Sequence, residues 1–131
     1  MFSNRSLSLK DNKIQVIFPQ NVGFTGFQYS LYKLDVSGEK NGVANVQELR
    51  KMKNLRSLTV GRLSSSQLVP EEFLNFGVEL ENLKIIHGGI SGIKSHAFMN
   101  VRGIKRLDLS ENRIDVIEKD AFKEVRTKKQ I

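Results

Sequence analysis

Residues 104–125 read IKRLDLSENRIDVIEKDAFKEV. Apolar side chains fall at Ile104, Leu107, Leu109, Ile114, Ile117, Phe122 and Val125, with the polar Asn112 among them. The first part alternates. Leu107 and Leu109 point one way and Arg106, Asp108 and Ser110 the other, which is the period of a strand. After Asn112 the apolar positions no longer keep that period. A strand, a turn at Asn112 and a return segment account for the pattern better than one helix or one strand. One such unit cannot bury its apolar face alone, so it needs neighbours of the same kind.

A neighbour lies directly upstream. Leu80, Leu83, Ile85, Ile90, Ile93, Phe98 and Val101 repeat the seven apolar positions at a constant offset of 24 residues. The shared template, LxxLxLxx(N)xLxxIxxxxFxxL, resembles the leucine-rich repeat. Its Ala97-Phe98 and Ala121-Phe122 pairs resemble the extracellular subclass found in Slit-like, chaoptin-like and Toll-like receptor ectodomains and in the acid labile subunit. The resemblance implies an α/β solenoid with a short parallel sheet on its concave side and an irregular or short-helical convex side. It further implies non-catalytic binding of a partner protein on the concave strands, within a recognition, adhesion or receptor protein.

The rest of the chain divides to match, into units near residues 4–30, 31–54, 55–79, 80–103 and 104–125, about five repeats with a basic tail at 126–131. In the first, Leu7, Leu9, Asn12, Ile14 and Ile17 occupy template positions, and the match degrades after Pro19. In the second, Leu31, Leu34 and Val36 predict a strand. Val46, Leu49, Met52 and Leu55 then form an i, i+3 row that predicts a helical turn on the convex side. In the third, Leu55, Leu58 and Val60 predict a strand, Ser64-Ser65-Ser66 a bulged loop, and Pro70 the start of a short helix holding Phe73 and Phe76. In the fourth, Gly88 stands where the template has asparagine. The residues after Val125 do not carry the strand pattern, so the array is expected to stop there.

The whole-chain numbers bound the function. The 131 residues carry a net charge of +7 and no cysteine. The disulfide-stapled caps that usually close extracellular arrays are therefore missing, as is any thiolate zinc site. The N-terminus has no apolar core of secretory-signal length. An uncapped fragment of a longer extracellular or cell-surface parent fits the AF subclass. An intracellular repeat scaffold, cytoplasmic, fits the missing signal and cysteines. Basic residues gather at Arg50, Lys51, Lys53, Arg56 and at Arg126, Lys128, Lys129 without the interleaved aromatics that single-stranded nucleic acid requires. The charge suits an acidic glycan better than a nucleic acid, and no stretch approaches the length of a membrane-spanning helix.

No catalytic constellation emerges. The two histidines, His87 and His96, lie in one repeat, with His87 expected on the concave face and His96 on the convex return, so they are not expected to converge. Asp108, Asp115, Glu118 and Asp120 follow no calcium-loop order. Gly88–Lys94 lacks the glycine-lysine step of a phosphate loop, and the serine run has no nucleophile-elbow spacing. No cofactor is expected. The outward strand positions are Lys33, Asp35, Ser37, Ser57, Thr59, Gly61, Arg62, Asn82, Lys84, Ile86, His87, Arg106, Asp108, Ser110 and Glu111. Ile86 is an apolar anchor among polar neighbours, the profile of a binding hot spot. A contact patch is expected around Arg62, Lys84, Ile86 and His87, with Arg106 and Asp108 beside it. Asn12, Asn112, Phe73, Phe98 and Phe122 are expected to be structural. Asn4-Arg5-Ser6 fits the N-glycosylation sequon of a secreted protein.

Overall fold

The structure, a computed structural model, describes residues 6–10, 16–17, 31–38, 43–44, 46, 49, 52–63, 65–73, 79–125 and 128–130. Asn4, Asn12, Arg50, Lys51, Phe76 and Arg126 lie outside them. The described chain forms eleven short strands in three parallel sheets. The large sheet runs β1 (Ser6–Ser8), β3 (Lys33–Asp35), β5 (Ser57–Val60), β7 (Asn82–Ile85), β9 (Arg106–Asp108) and β11 (Lys128–Gln130). A second sheet orders β10 (Val116–Ile117), β8 (Gly92–Ile93) and β6 (Gln67–Leu68), and a third pairs β2 (Val16–Ile17) with β4 (Val43–Ala44). Each repeat therefore gives one strand to the large sheet and a shorter one to the return side. The result is a leucine-rich repeat solenoid.

The registers follow the periodic leucines. Leu7, Leu34, Leu58, Leu83 and Leu107 are successive Cα partners across the large sheet. Leu34, Leu58 and Leu83 are completely buried. Alternation sends their neighbours to the opposite face. The return segments close the same core with Ile90, Ile93, Phe98 and Val101 in the fourth unit. Phe73 and Phe98 sit with ring centroids 6.3 Å apart and tilted by 33°, and Phe98 stacks on Phe122 at 6.2 Å and 12°.

Among the described residues, helical structure is confined to short turns. Pro70–Phe73 is a 3-10 helix that buries Phe73. Met52 N–H donates to the Leu49 carbonyl at 2.9 Å and Leu55 N–H to the Met52 carbonyl at 3.1 Å, the bonding of tight i, i+3 turns. Val46, Leu49, Met52 and Leu55 are all buried. A 3-10 turn suits this row because its side chains recur every third residue and so line a single edge.

The tail departs from its sequence reading. Residues 126–131 lack the strand pattern, yet Lys128–Gln130 pairs in parallel with Arg106–Asp108, in the register Lys128↔Arg106 to Gln130↔Asp108. Backbone groups, not apolar periodicity, drive this pairing. The open edge of β9 presents unpaired N–H and C=O groups that any extended segment can satisfy. A sixth strand thus follows the fifth unit.

Candidate functional site

The large sheet leaves an open concave trough lined by Lys10, Lys33, Asp35, Ser37, Gly38, Ser57, Thr59, Asn82, Lys84, Ile86, His87, Arg106, Leu107, Asp108 and Glu111. Strand alternation builds its floor. One register row carries Lys33, Ser57, Asn82 and Arg106, and the next carries Asp35, Thr59, Lys84 and Asp108. Lys33, Lys84 and Arg106 are exposed, and none has an ion pair or side-chain hydrogen bond among the described residues. Ile86 is half-buried beside them.

The carboxylates of the trough, in contrast, are all engaged. Asp35 Oδ1 accepts from Ser37 N–H at 2.9 Å and from Ser37 Oγ–H at 2.6 Å. Asp108 Oδ1 accepts from Ser110 N–H at 2.9 Å and also from the Ser110 hydroxyl. Glu111 pairs with His87 Nε2. His87 and Glu111 both hold left-handed backbone, with φ of 57° and 61°. Histidine tolerates that region better than most residues.

Five of the six residues expected at a contact patch, Lys84, Ile86, His87, Arg106 and Asp108, line the trough together. Arg62 is exposed but does not line it. Gly61 and Ser37, read as outward, are buried. Ser37 turns in to bond its own Asp35, and a Cβ added at Gly61 would stand 3.6 Å from the Gly38 backbone nitrogen. Sequence reasoning missed Lys10 as a lining residue and the two Asp-x-Ser clips. The recurrence of Asp-x-Ser at 35–37 and 108–110 was the available signal. It also missed the His87–Glu111 pair, although the two lie 24 residues apart, one repeat.

The remaining singled-out residues lie elsewhere. Asn112 Oδ1 accepts from Gly88 N–H at 2.9 Å and from Ile90 N–H at 3.1 Å, while Nδ2 donates to the Ile85 carbonyl at 2.8 Å and the Leu109 carbonyl at 2.9 Å. His96 Nδ1 pairs with Glu124 at 2.8 Å, so the two histidines of the chain go to different partners. On the return side Lys94 pairs with Glu118 at 3.1 Å. Glu118 also accepts from Ser95 N–H at 3.0 Å. That backbone bond first, and Lys94 second, hold the Glu118 carboxyl below the usual carboxylate range. Among the described residues no three metal-ligating side chains cluster, and no helix is long and apolar enough to cross a membrane.

Comparison with known proteins agrees with this architecture. The leucine rich repeat model matches residues 78–126. The chain is 52% identical over 124 residues to Chaoptin from Drosophila melanogaster, an alignment that covers 92% of this chain and 9% of that protein. The chain thus spans about a tenth of the length of the relative it matches. No solved structure matches it. With the parallel register of its strands, the leucine ladder and the family match, this chain belongs to the leucine-rich repeat family.

Proposed function

We propose that this chain is a non-catalytic protein-binding segment of an extracellular recognition or adhesion protein, and that it binds its partner in the concave trough. The observation that carries the reading is the trough itself. Three exposed cations, Lys33, Lys84 and Arg106, without partners among the described residues, and a half-buried isoleucine share one open face. The similarity to Chaoptin over nearly the whole chain supports placing this segment within a longer parent of the same kind. Partner binding by such a surface needs an apolar anchor with polar surroundings, which Ile86 and its neighbours supply.

The test is to screen the chain against an array of extracellular proteins and repeat each hit with Thr59→Trp, which fills the floor, and with Lys123→Glu on the return side. Thr59→Trp is expected to remove the hits and Lys123→Glu to leave them. The reverse pattern would move the binding face to the convex side. Surface staining of unpermeabilised cells expressing the full-length gene product separates the extracellular reading from that of an intracellular scaffold.

A further inference from the structure

The formal charges of the trough nearly balance, but their bonding does not. Asp35, Asp108 and Glu111 each have a partner within the chain. Lys33, Lys84 and Arg106 have none among the described residues. An acid fixed by a serine hydroxyl and its backbone N–H is already solvated by the protein. A lysine or arginine on the open floor keeps all its donors for a partner. The available hydrogen bonding of the trough is therefore cationic.

Resting on the concave-face reading above, we propose that the trough takes an acidic protein segment, with carboxylates on Lys33, Lys84 and Arg106 and an apolar side chain against Ile86. The geometry favours separated carboxylates. Lys84 and Arg106 lie on adjacent strands, one diagonal step of about 7–8 Å. Lys33 lies three strand spacings from Arg106, about 14 Å. Ser57, Thr59 and Asn82 fill the interval with neutral polar groups. A polypeptide can place neutral residues over that interval and over the fixed acids. A densely sulfated glycan presents charge along its whole length and meets the Asp35 and Asp108 carboxyl groups on the floor. It also has no use for Ile86.

The experiment titrates the chain with a fluorescein-labelled Glu-Ser-Leu repeat peptide, its Gln-for-Glu counterpart and a heparin oligosaccharide. Anisotropy gives affinity at low and high salt, and amide NMR shifts of the labelled chain give the location. The Glu peptide is expected to bind, to weaken with salt, and to shift the amides of Ser57, Thr59 and Asn82. Lys84→Glu and Arg106→Glu are each expected to weaken it by about tenfold or more. Arg62→Glu, outside the trough, should not. Both trough positions are exposed, and Lys84→Gln and Arg106→Gln replace the reversals if a melt shows misfolding. Equal binding of the Gln peptide with the same shifts overturns the acidic partner and leaves the concave face standing. Shifts confined to the return segments overturn both. No binding at millimolar peptide overturns the acidic partner alone. Tighter binding of heparin with the same charge dependence makes a sulfated glycan the occupant and overturns the peptide.

Discussion

Asn112 reaches back one full repeat to Gly88, accepting the Gly88 N–H at 2.9 Å, and so supplies from the fifth unit what the fourth unit lacks. Glycine is required at 88 because a Cβ there would stand 2.9 Å from the Gly61 carbonyl oxygen and 3.0 Å from Ile85 Cγ2. The fourth turn therefore stays bonded without an asparagine of its own. Replacing Asn112 with Ala strands the Gly88 and Ile90 donors and the Ile85 and Leu109 acceptors. The expected cost is about 1–3 kcal/mol in urea melts. A change within error would mean that water replaces the amide.

Phe98 lies between two rings and is completely buried, whereas Phe122 is half-exposed. Phe98→Ala should cost about 3–5 kcal/mol, and Phe122→Ala clearly less, because its site is already partly open. Denaturant midpoints of the two variants check the order. Equal losses would show that the stack, not burial, sets the energy.

The histidines give a second contrast. His87 and His96 share left-handed backbone, with φ of 57° and 55°, so the backbone cost of replacing either is similar. The His87–Glu111 side chains are 49% and 59% exposed, while Glu124, the partner of His96, is 28% exposed and has a buried Oε1 with no hydrogen bond. His96→Ala should therefore destabilise more than His87→Ala, by about 1 kcal/mol. Thermal melts of both variants at neutral pH check this.

Glu118 sets an acid-side limit. Its carboxyl is held below the ordinary value of 4.5 by Ser95 N–H and Lys94. A carboxylate depressed in the folded state contributes stability that is complete above the unfolded value. That contribution is lost as pH falls through the folded one. Melting temperature followed downward from neutral pH should thus fall less steeply in Glu118→Gln than in the parent chain once pH drops below the ordinary value. Parallel acid limbs would assign the acid loss to other groups.

The sequence carried the parts of the fold that rest on buried side chains. Leucine within each of the first five strands of the large sheet dictates one register and one inward face, and Leu58 pairs with Leu83 although the two lie 25 rather than 24 residues apart. Backbone-driven features were not legible. Lys128–Gln130 pairs through its main chain and leaves no apolar trace in the sequence. At the trough, alternation placed Lys84, Arg106 and Asp108 correctly, because outward positions follow from inward ones. Just past the strands, where the period of two no longer governs direction, Gly61 and Ser37 are buried, and Arg62, exposed as read, stands outside the trough. The engagement of Asp35 and Asp108 depends on serine rotamers that no periodicity encodes.

The strands of the large sheet are stacked one after another, β1 to β11, and are joined by hydrogen bonds between neighbours. Tension applied to the two ends of the array would load these ladders in series, like the teeth of a zipper. The joint between the fourth and fifth repeats carries reinforcement besides its ladder: Asn112 on the turn, His87–Glu111 on one face and Lys94–Glu118 and His96–Glu124 on the return side. Pulled as part of a longer array, the segment would lengthen by peeling away one repeat at a time. Among the described residues this joint is the most heavily braced and would hold longest, giving a spring whose extension comes in steps the length of one repeat.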